Sequence, residues 1–131
     1  MKHLPLTENH LFSKAYSGGA RYTGRLVSVY VLRDRAARRL MNANPEKKYL
    51  NRVGISVSKK QGGAVVRSRL RRIIREGFRA VEEEGRLKTG YLIVITARSG
   101  ALGKSSNDVA RELKYAFGKL DMYDTRAQNE L

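Results

Sequence analysis

Five arginines lie within nine residues in the middle of the chain, and the first acidic residue after them is Glu76. They are Arg67, Arg69, Arg71, Arg72 and Arg75. Positive side chains four residues apart weaken an isolated helix by roughly a few tenths of a kcal/mol per pair, so this cluster is costly unless an anion lies over it. Because guanidinium groups make planar, bidentate contacts with phosphate, the residue types predict a phosphate-binding surface.

The excess positive charge of the chain is concentrated around this cluster. The 131 residues contain 27 Lys and Arg against 12 Asp and Glu, a net charge of +15. Residues 52–75 carry eight basic and no acidic side chains, the other three being Arg52, Lys59 and Lys60. So basic a chain repels itself, which favours a polyanionic partner: nucleic acid first, and an anionic membrane surface second.

Other classes of function are disfavoured by what the sequence lacks. There is no cysteine, which excludes disulfides and thiolate metal sites and is compatible with the reducing cytosol. No apolar run approaches the roughly 18–20 residues that span a bilayer, and no signal-peptide pattern opens the chain, so we expect a cytoplasmic protein. With His3 and His10 as the only histidines, neither a metal site nor a catalytic triad is predicted.

The length of the chain favours a single domain, and its hydrophobic periodicity predicts both strands and helices. Strands are expected at residues 26–32, 52–58 and 91–97, and alternation in the first places Ser28 and Tyr30 on one side of the sheet. Helices are expected from Thr7 to Gly18, over residues 66–84, and from Ser105 or Ser106 to Leu120. Residues 33–48 read as a basic connection, and residues 1–6 and 122–131 are expected to fray.

The arginines belong to the second predicted helix. Its periodicity places one set of residues on a buried apolar face: Val66, Leu70, Ile73, Ile74, Gly77 and Val81. Arg67, Arg71 and Arg75 form a row along one flank, and Ser68 lies among the arginines. A solvated face usually mixes charges of both signs, whereas mixing here begins only at Glu76, so a nucleic-acid surface is favoured.

Several alternatives fit parts of this pattern. A ribosomal or other structural RNA-binding protein would carry the same charge, and a DNA-binding module could carry such a helix. Strands flank this helix, however, and no second helix lies three or four residues away, which disfavours a helix-turn-helix. Residues 99–106 (SGALGKSS) imitate a nucleotide-binding loop, but Arg98 stands where its first glycine is required, so a loop with a helix cap is predicted.

The stretch RVGISVSKKQGGAVVRSRLRRIIREGFR, residues 52–79, resembles the signature of the bacterial ribonuclease P protein subunit. That signature is a strand reading R-x-G-x-S-V-S-K-K, a glycine loop, then A-V and an arginine helix with an R-N-R core. Phe12, Tyr16, Gly19 and the strand bearing Tyr30 also match the family's upstream pattern, and the resemblance covers about residues 8–120. The family's central Asn is replaced by Ser68, which offers a shorter hydroxyl.

The resemblance implies a fold and a function. The fold is a single α+β domain over residues 1–131, with a four-stranded mixed sheet and three helices in α-β-β-β-α-β-α order. It includes a short strand near Tyr22–Thr23 and a left-handed crossover through the arginine helix. The family's protein binds a large catalytic RNA, ribonuclease P RNA, which removes the 5′ leader from precursor tRNA using its own bound Mg²⁺, so no catalytic residue or protein-bound cofactor is expected, and neither DNA nor membrane is an expected partner.

By position, two sets of residues carry over. The RNA-binding set is Arg52, Lys59, Lys60, Arg67, Ser68, Arg69, Arg71, Arg72 and Arg75. The set expected to line a cleft for the single-stranded leader is Phe12, Tyr16, Ser28 and Tyr30. From the residues alone, Phe12 and Tyr16 would be taken as core, since aromatics four apart on a helix usually pack inward.

Overall fold

The computed structural model describes residues 3–43 and 51–124. The strands are β1 (His3–Pro5), β2 (Ala20–Thr23), β3 (Val27–Arg33), β4 (Asn51–Ser56) and β5 (Tyr91–Ala97). The helices are α1 (Asn9–Gly18), α2 (Ala37–Ala43), α3 (Ala64–Glu83) and α4 (Ser106–Lys119), with short 3₁₀ turns at Lys59–Gln61 and Ser99–Ala101. Within the described residues no helix is long and apolar enough to cross a membrane.

The strands form one mixed sheet in the order β1-β4-β5-β3-β2. β4 runs parallel to both β1 and β5, while β3 runs antiparallel to β5 and β2. Since α3 connects the parallel neighbours β4 and β5, the expected β-α-β unit is present; the handedness of its crossover stays a prediction of the family resemblance.

The two faces of the sheet pack against different helices. Alternate residues of β3 and β5, among them Val29 and Ile95, join the larger core beneath α3 and α4. The intervening residues, among them Leu92 and Val94, pack beneath α1 around Ala15. β5 is therefore covered on both faces, as its nearly continuous apolar sequence predicts.

The arginine helix is anchored by the predicted apolar face with one exception. Leu70, Ile73, Ile74, Gly77 and Val81 are buried in α3. Gly77 permits a close approach of α4, since a Cβ there would lie 3.0 Å from the backbone nitrogen of Ala110. The prediction for Val66 is wrong, because this residue lies in the first turn of α3 and is 37% exposed.

The described residues contain five strands and four helices, one of each more than expected. β1 pairs with β4 and Leu6 is buried behind it, so the predicted fraying is wrong for residues 3–6. It is also wrong for residues 122–124, because Met122 is 1% exposed and Tyr123 forms a bridge with Leu87. α2 occupies part of the predicted connection, while the predictions for residues 44–48, 1–2 and 125–131 lie outside the described residues.

Candidate nucleic-acid interface

The arginines of α3 lie on two flanks of the helix. Arg71, Arg75 and Arg79 line a groove of about 560 Å³ between α3 and the β1–β4 edge of the sheet. Arg69 and Arg72 lie with Ser68 along a second groove on the other flank, which begins at Ala64 and Val65. The helix therefore presents guanidinium groups in two directions.

These arginines form no ion pair in the part of the chain that the structure describes, although Glu82 and Glu83 line the same groove as Arg71, Arg75 and Arg79. The ion pairs found there involve other side chains, and none includes an arginine between Arg67 and Arg79. Arg69 donates a 2.7 Å hydrogen bond to the carbonyl oxygen of Lys104, a neutral acceptor. Arg67 is half-buried, and its Nε has no hydrogen-bond partner. The positive charge of α3 is thus available to an external anion.

Two lysines extend the positive surface ahead of α3. Lys59 and Lys60 are exposed in a 3₁₀ turn, where the Ser58 hydroxyl accepts a 3.0 Å hydrogen bond from the backbone N–H of Lys60. Gly62 follows with φ at +144°, a backbone conformation that favours glycine. α3 then begins without a side-chain cap and without an acidic residue in its first turn. Its unpaired N–H groups and the positive end of its dipole therefore add to the attraction for phosphate.

Arg52 was predicted to join this surface, and the structure places it elsewhere. Its Nε and one terminal nitrogen donate to the two carboxylate oxygens of Asp34 at 2.7 and 2.8 Å. Its other terminal nitrogen donates to Glu8 at 3.3 Å. The side chains of Arg52 and Asp34 are 14% and 2% exposed, so the pair is internal. Arg52 holds the β3–α2 connection and the start of α1 against β4, and its position does not support a contact with RNA.

The Asp34–Arg52 pair shifts the pKa values of both groups. Burial by itself would raise the pKa of Asp34, but hydrogen bonds from Arg52 and from the backbone N–H of Ala36 outweigh it and lower that pKa below its usual value. The hydrogen bonds to Asp34 raise the pKa of Arg52. Both groups are therefore held in their charged forms.

Phe12, Tyr16 and Tyr30 lie together on the face of the sheet opposite α3. The rings of Tyr16 and Tyr30 are edge to face with centroids 4.8 Å apart, and Phe12 lies 6.4 Å from Tyr16. Phe12 packs directly over Gly54, where an added Cβ would come within 2.4 Å of the ring. Tyr16 is 39% exposed, so this aromatic cluster is not wholly core.

A row of hydroxyl side chains borders the aromatic cluster. The strand register places Thr23, Ser28, Thr96 and Ser56 side by side across β2, β3, β5 and β4. The Tyr16 hydroxyl lies 3.3 Å from that of Thr96. Ser28 is only 5% exposed, so it lies in the floor of this row and presents little surface. Thr96 and Ser56 were not among the predicted residues. The alternation of side chains along β5 nevertheless places Thr96 on the other face of the strand from Ile95. We call this row and the three aromatics the aromatic cleft.

The other predicted motifs find ordinary structural roles. Ser105 and Asp108 form a capping box at the start of α4, as expected for a loop with a helix cap. His3 bonds to Glu82 at 2.7 Å and packs its ring edge against Phe78, which ties β1 to α3. Among the described residues, no group of three or more His, Asp or Glu side chains is arranged to hold a metal ion.

Comparison with known proteins identifies the family. The family model described as Ribonuclease P matches residues 1–121. The ribonuclease P protein component of Clostridium acetobutylicum is 37% identical over 128 residues, covering 96% of this chain and 98% of that protein. Its counterpart from Clostridium perfringens strain 13 is 36% identical over 121 residues, covering 92% and 91%.

Solved structures agree with the fold. The RNase P protein of Staphylococcus aureus superimposes with a TM-score of 0.68 at 25% identity, covering 95% of this chain and 99% of that one. The RNase P protein of Thermotoga maritima gives a TM-score of 0.65 at 23% identity, covering 85% and 92%, and is similar in fold. From the family match and the close relatives together, this chain belongs to the ribonuclease P protein family.

Proposed function

We propose that this chain is the protein subunit of a ribonuclease P ribonucleoprotein, which removes the 5′ leader during tRNA maturation. In this proposal α3 and the lysine turn before it bind ribonuclease P RNA, and the aromatic cleft binds the leader of precursor tRNA. The observation that carries the proposal is the set of arginines on α3 that have no carboxylate partner.

Geometry supports the RNA contact on α3. Helix residues three or four apart lie about 5–6 Å from one another, a spacing comparable to that of successive phosphates in folded RNA. Arg72 and Arg75 are both exposed and stand three residues apart. Because arginine can also stack on bases, the surface suits structured RNA better than a uniform array of lysines would.

The aromatic cleft has the features that single-stranded RNA requires. Unstacked bases gain affinity from aromatic faces, and the 2′-hydroxyl of RNA can hydrogen-bond to side-chain hydroxyls. Tyr16 supplies an exposed ring, and Thr96 and Ser56 supply hydroxyls that are only half-buried. The cleft and α3 lie on opposite faces of the sheet, so one protein could contact two RNA molecules at once.

The protein's contribution to the reaction is electrostatic and positional. A catalytic RNA and its precursor substrate are both polyanions that repel each other, and a protein of net charge +15 placed between them lowers that repulsion. Mg²⁺ bound by the RNA would supply the hydrolytic chemistry. In this proposal the side chains of this chain bind and orient the substrate.

Reconstitution tests this function. Adding the protein to ribonuclease P RNA at low Mg²⁺ should stimulate leader removal from precursor tRNA, because bound protein replaces cations that the RNA would otherwise need. The measurement is the rate of 5′-leader release under single-turnover conditions. A basic peptide of equal net charge serves as the control for simple charge screening. If the protein stimulates no better than that peptide, the proposal is rejected.

Loss of one aromatic side chain should weaken the binding of precursor tRNA more than the binding of mature tRNA. Phe12→Ala or Tyr16→Ala should weaken binding of leader-bearing precursor by roughly five- to a hundredfold, the usual cost of one lost base stack, with a smaller effect on mature tRNA. Tyr115→Ala is a matched control, because Tyr115 is 57% exposed on α4, away from the cleft. Equal losses with both substrates would mean that these aromatics serve only as core.

A further inference from the structure

A second basic site lies on the α1 side of the sheet. It is a groove of about 710 Å³ bounded by α1, the end of β3 and the start of α2. Four of its lining side chains are exposed cations: Lys14, Arg33, Arg35 and Arg39. We call this groove the basic pocket; none of the residues proposed above to bind ribonuclease P RNA or the leader lines it.

The basic pocket carries uncompensated positive charge. Its only carboxylates are Glu8 and Asp34, and both are bonded to Arg52, which also lines the pocket. Lys14, Arg33, Arg35 and Arg39 form no ion pair within the described residues. With Arg52 included, five cations face two anions, a net charge of +3. A cluster of this kind attracts a polyanion.

Helix α1 separates the basic pocket from the aromatic cleft. At its first half Phe12 lies against Gly54 of β4, and at its end Gly19 lies against the Val31 carbonyl of β3, so α1 crosses the sheet. Tyr16 faces the hydroxyl row on one side, while Lys14 and Leu11 face the pocket on the other. The exposed face of α1 includes Ser13 and Ser17, and the helix contains no Asp or Glu. A nucleic-acid strand could therefore cross α1 without electrostatic repulsion.

We propose that the basic pocket binds backbone phosphates of the precursor's 5′ leader, beyond the nucleotides held in the aromatic cleft. This inference rests on the proposed function and lengthens the leader's footprint on the protein. The position of the pocket favours the leader over ribonuclease P RNA, because the pocket shares the α1 face with the cleft while α3 lies on the other face. Since a helix is about 10 Å across, a few nucleotides suffice to pass over it.

The test compares leaders of two lengths. Lys14→Ala combined with Arg35→Ala should weaken binding of a precursor with a leader of about twelve nucleotides by roughly tenfold at about 0.15 M salt. The salt dependence of that binding should become shallower by about 1.4 in the log–log slope, because two single-strand phosphate contacts are lost. Binding of a precursor with a leader of about four nucleotides, chosen to be too short both to fill the cleft and to cross α1, should change little.

The controls separate this inference from simple charge loss. Arg38→Ala with Lys119→Ala removes the same charge, from an exposed α2 residue outside the pocket and from α4, and should leave the dependence on leader length intact. Thermal unfolding confirms that each variant folds. Equal weakening for both leader lengths, for mature tRNA or for ribonuclease P RNA alone would overturn the inference. Tyr16→Ala provides a separate test of the proposed function. If this variant binds the short-leader precursor as tightly as the wild-type protein does, the proposed function fails.

Discussion

Arg52→Ala should lower the free energy of unfolding by about 3–5 kcal/mol, the usual cost of breaking a buried ion pair. The Asp34 side chain is only 2% exposed, so its carboxylate would stay buried without its two strongest donors. A chain of this size has a total stability of about 5–15 kcal/mol, so the loss is a large fraction. Urea denaturation followed by circular dichroism measures it.

The matched control is a pair on the surface. Lys114 and Glu84 lie 3.3 Å apart with side chains 44% and 37% exposed, so Lys114→Ala should cost about 1 kcal/mol or less. Replacing Arg52 and Asp34 together by apolar residues should cost less than Arg52→Ala alone, because no buried charge is then left unpaired. A loss under about 1 kcal/mol for Arg52→Ala would contradict an internal structural role, and Arg52 would again be a candidate for RNA contact.

The Asp34–Arg52 pair should make the stability of the protein fall at low pH. The pKa of Asp34 is lowered in the folded state, so the unfolded chain binds its proton first as the pH falls. The charged Asp34 therefore stabilises the fold at pH values above its unfolded-state pKa of about 3.9. This stabilisation is lost as the pH falls through the folded-state pKa of Asp34. The stability difference between the wild-type protein and Arg52→Ala should therefore narrow below about pH 4.

The core could be predicted from the sequence because its periodicity is local. The three long strands and the helices α1, α3 and α4 were predicted within a few residues of their observed bounds. The short β2, which includes Tyr22–Thr23, was expected only from the family resemblance. β1 has only three residues, and its assignment depends on pairing with β4, which begins 48 positions later in the sequence. Three residues carry too little periodicity to predict a strand, and their sequence does not indicate that β4 is the pairing partner.

The exposure of the candidate residues was predicted correctly where it follows from helix periodicity, and incorrectly where it depends on partners distant in the sequence. Arg52 resembles its basic neighbours in sequence, yet Asp34 and Glu8 from other elements bind it. Ser28 lies on the predicted face, but it is buried in a row with Thr23 and Thr96. For Phe12 and Tyr16, periodicity alone indicated core, and the family resemblance supplied the alternative that the 39% exposure of Tyr16 allows.

The second large expected effect is a loss of RNA affinity when exposed arginines of α3 are removed. Arg72→Ala with Arg75→Ala should weaken binding to ribonuclease P RNA by roughly thirtyfold at about 0.15 M salt, because two phosphate contacts and their released counterions are lost. The log–log slope of affinity against salt should become shallower by about 1.8. Both side chains are exposed and lack a carboxylate partner in the described chain, so the variant should fold normally.

A charge-matched variant decides whether position or total charge matters. Arg38→Ala with Arg111→Ala also removes two positive charges, but Arg38 lies on α2 and Arg111 is bonded to Asp108 at 2.8 Å. Filter binding over a range of salt concentrations gives both slopes. If the two variants lose affinity equally, the RNA senses only the net charge of the protein. If only the α3 variant loses affinity and slope, guanidinium groups on one helix are in direct contact with RNA phosphates, as the absence of internal partners for them leads us to expect.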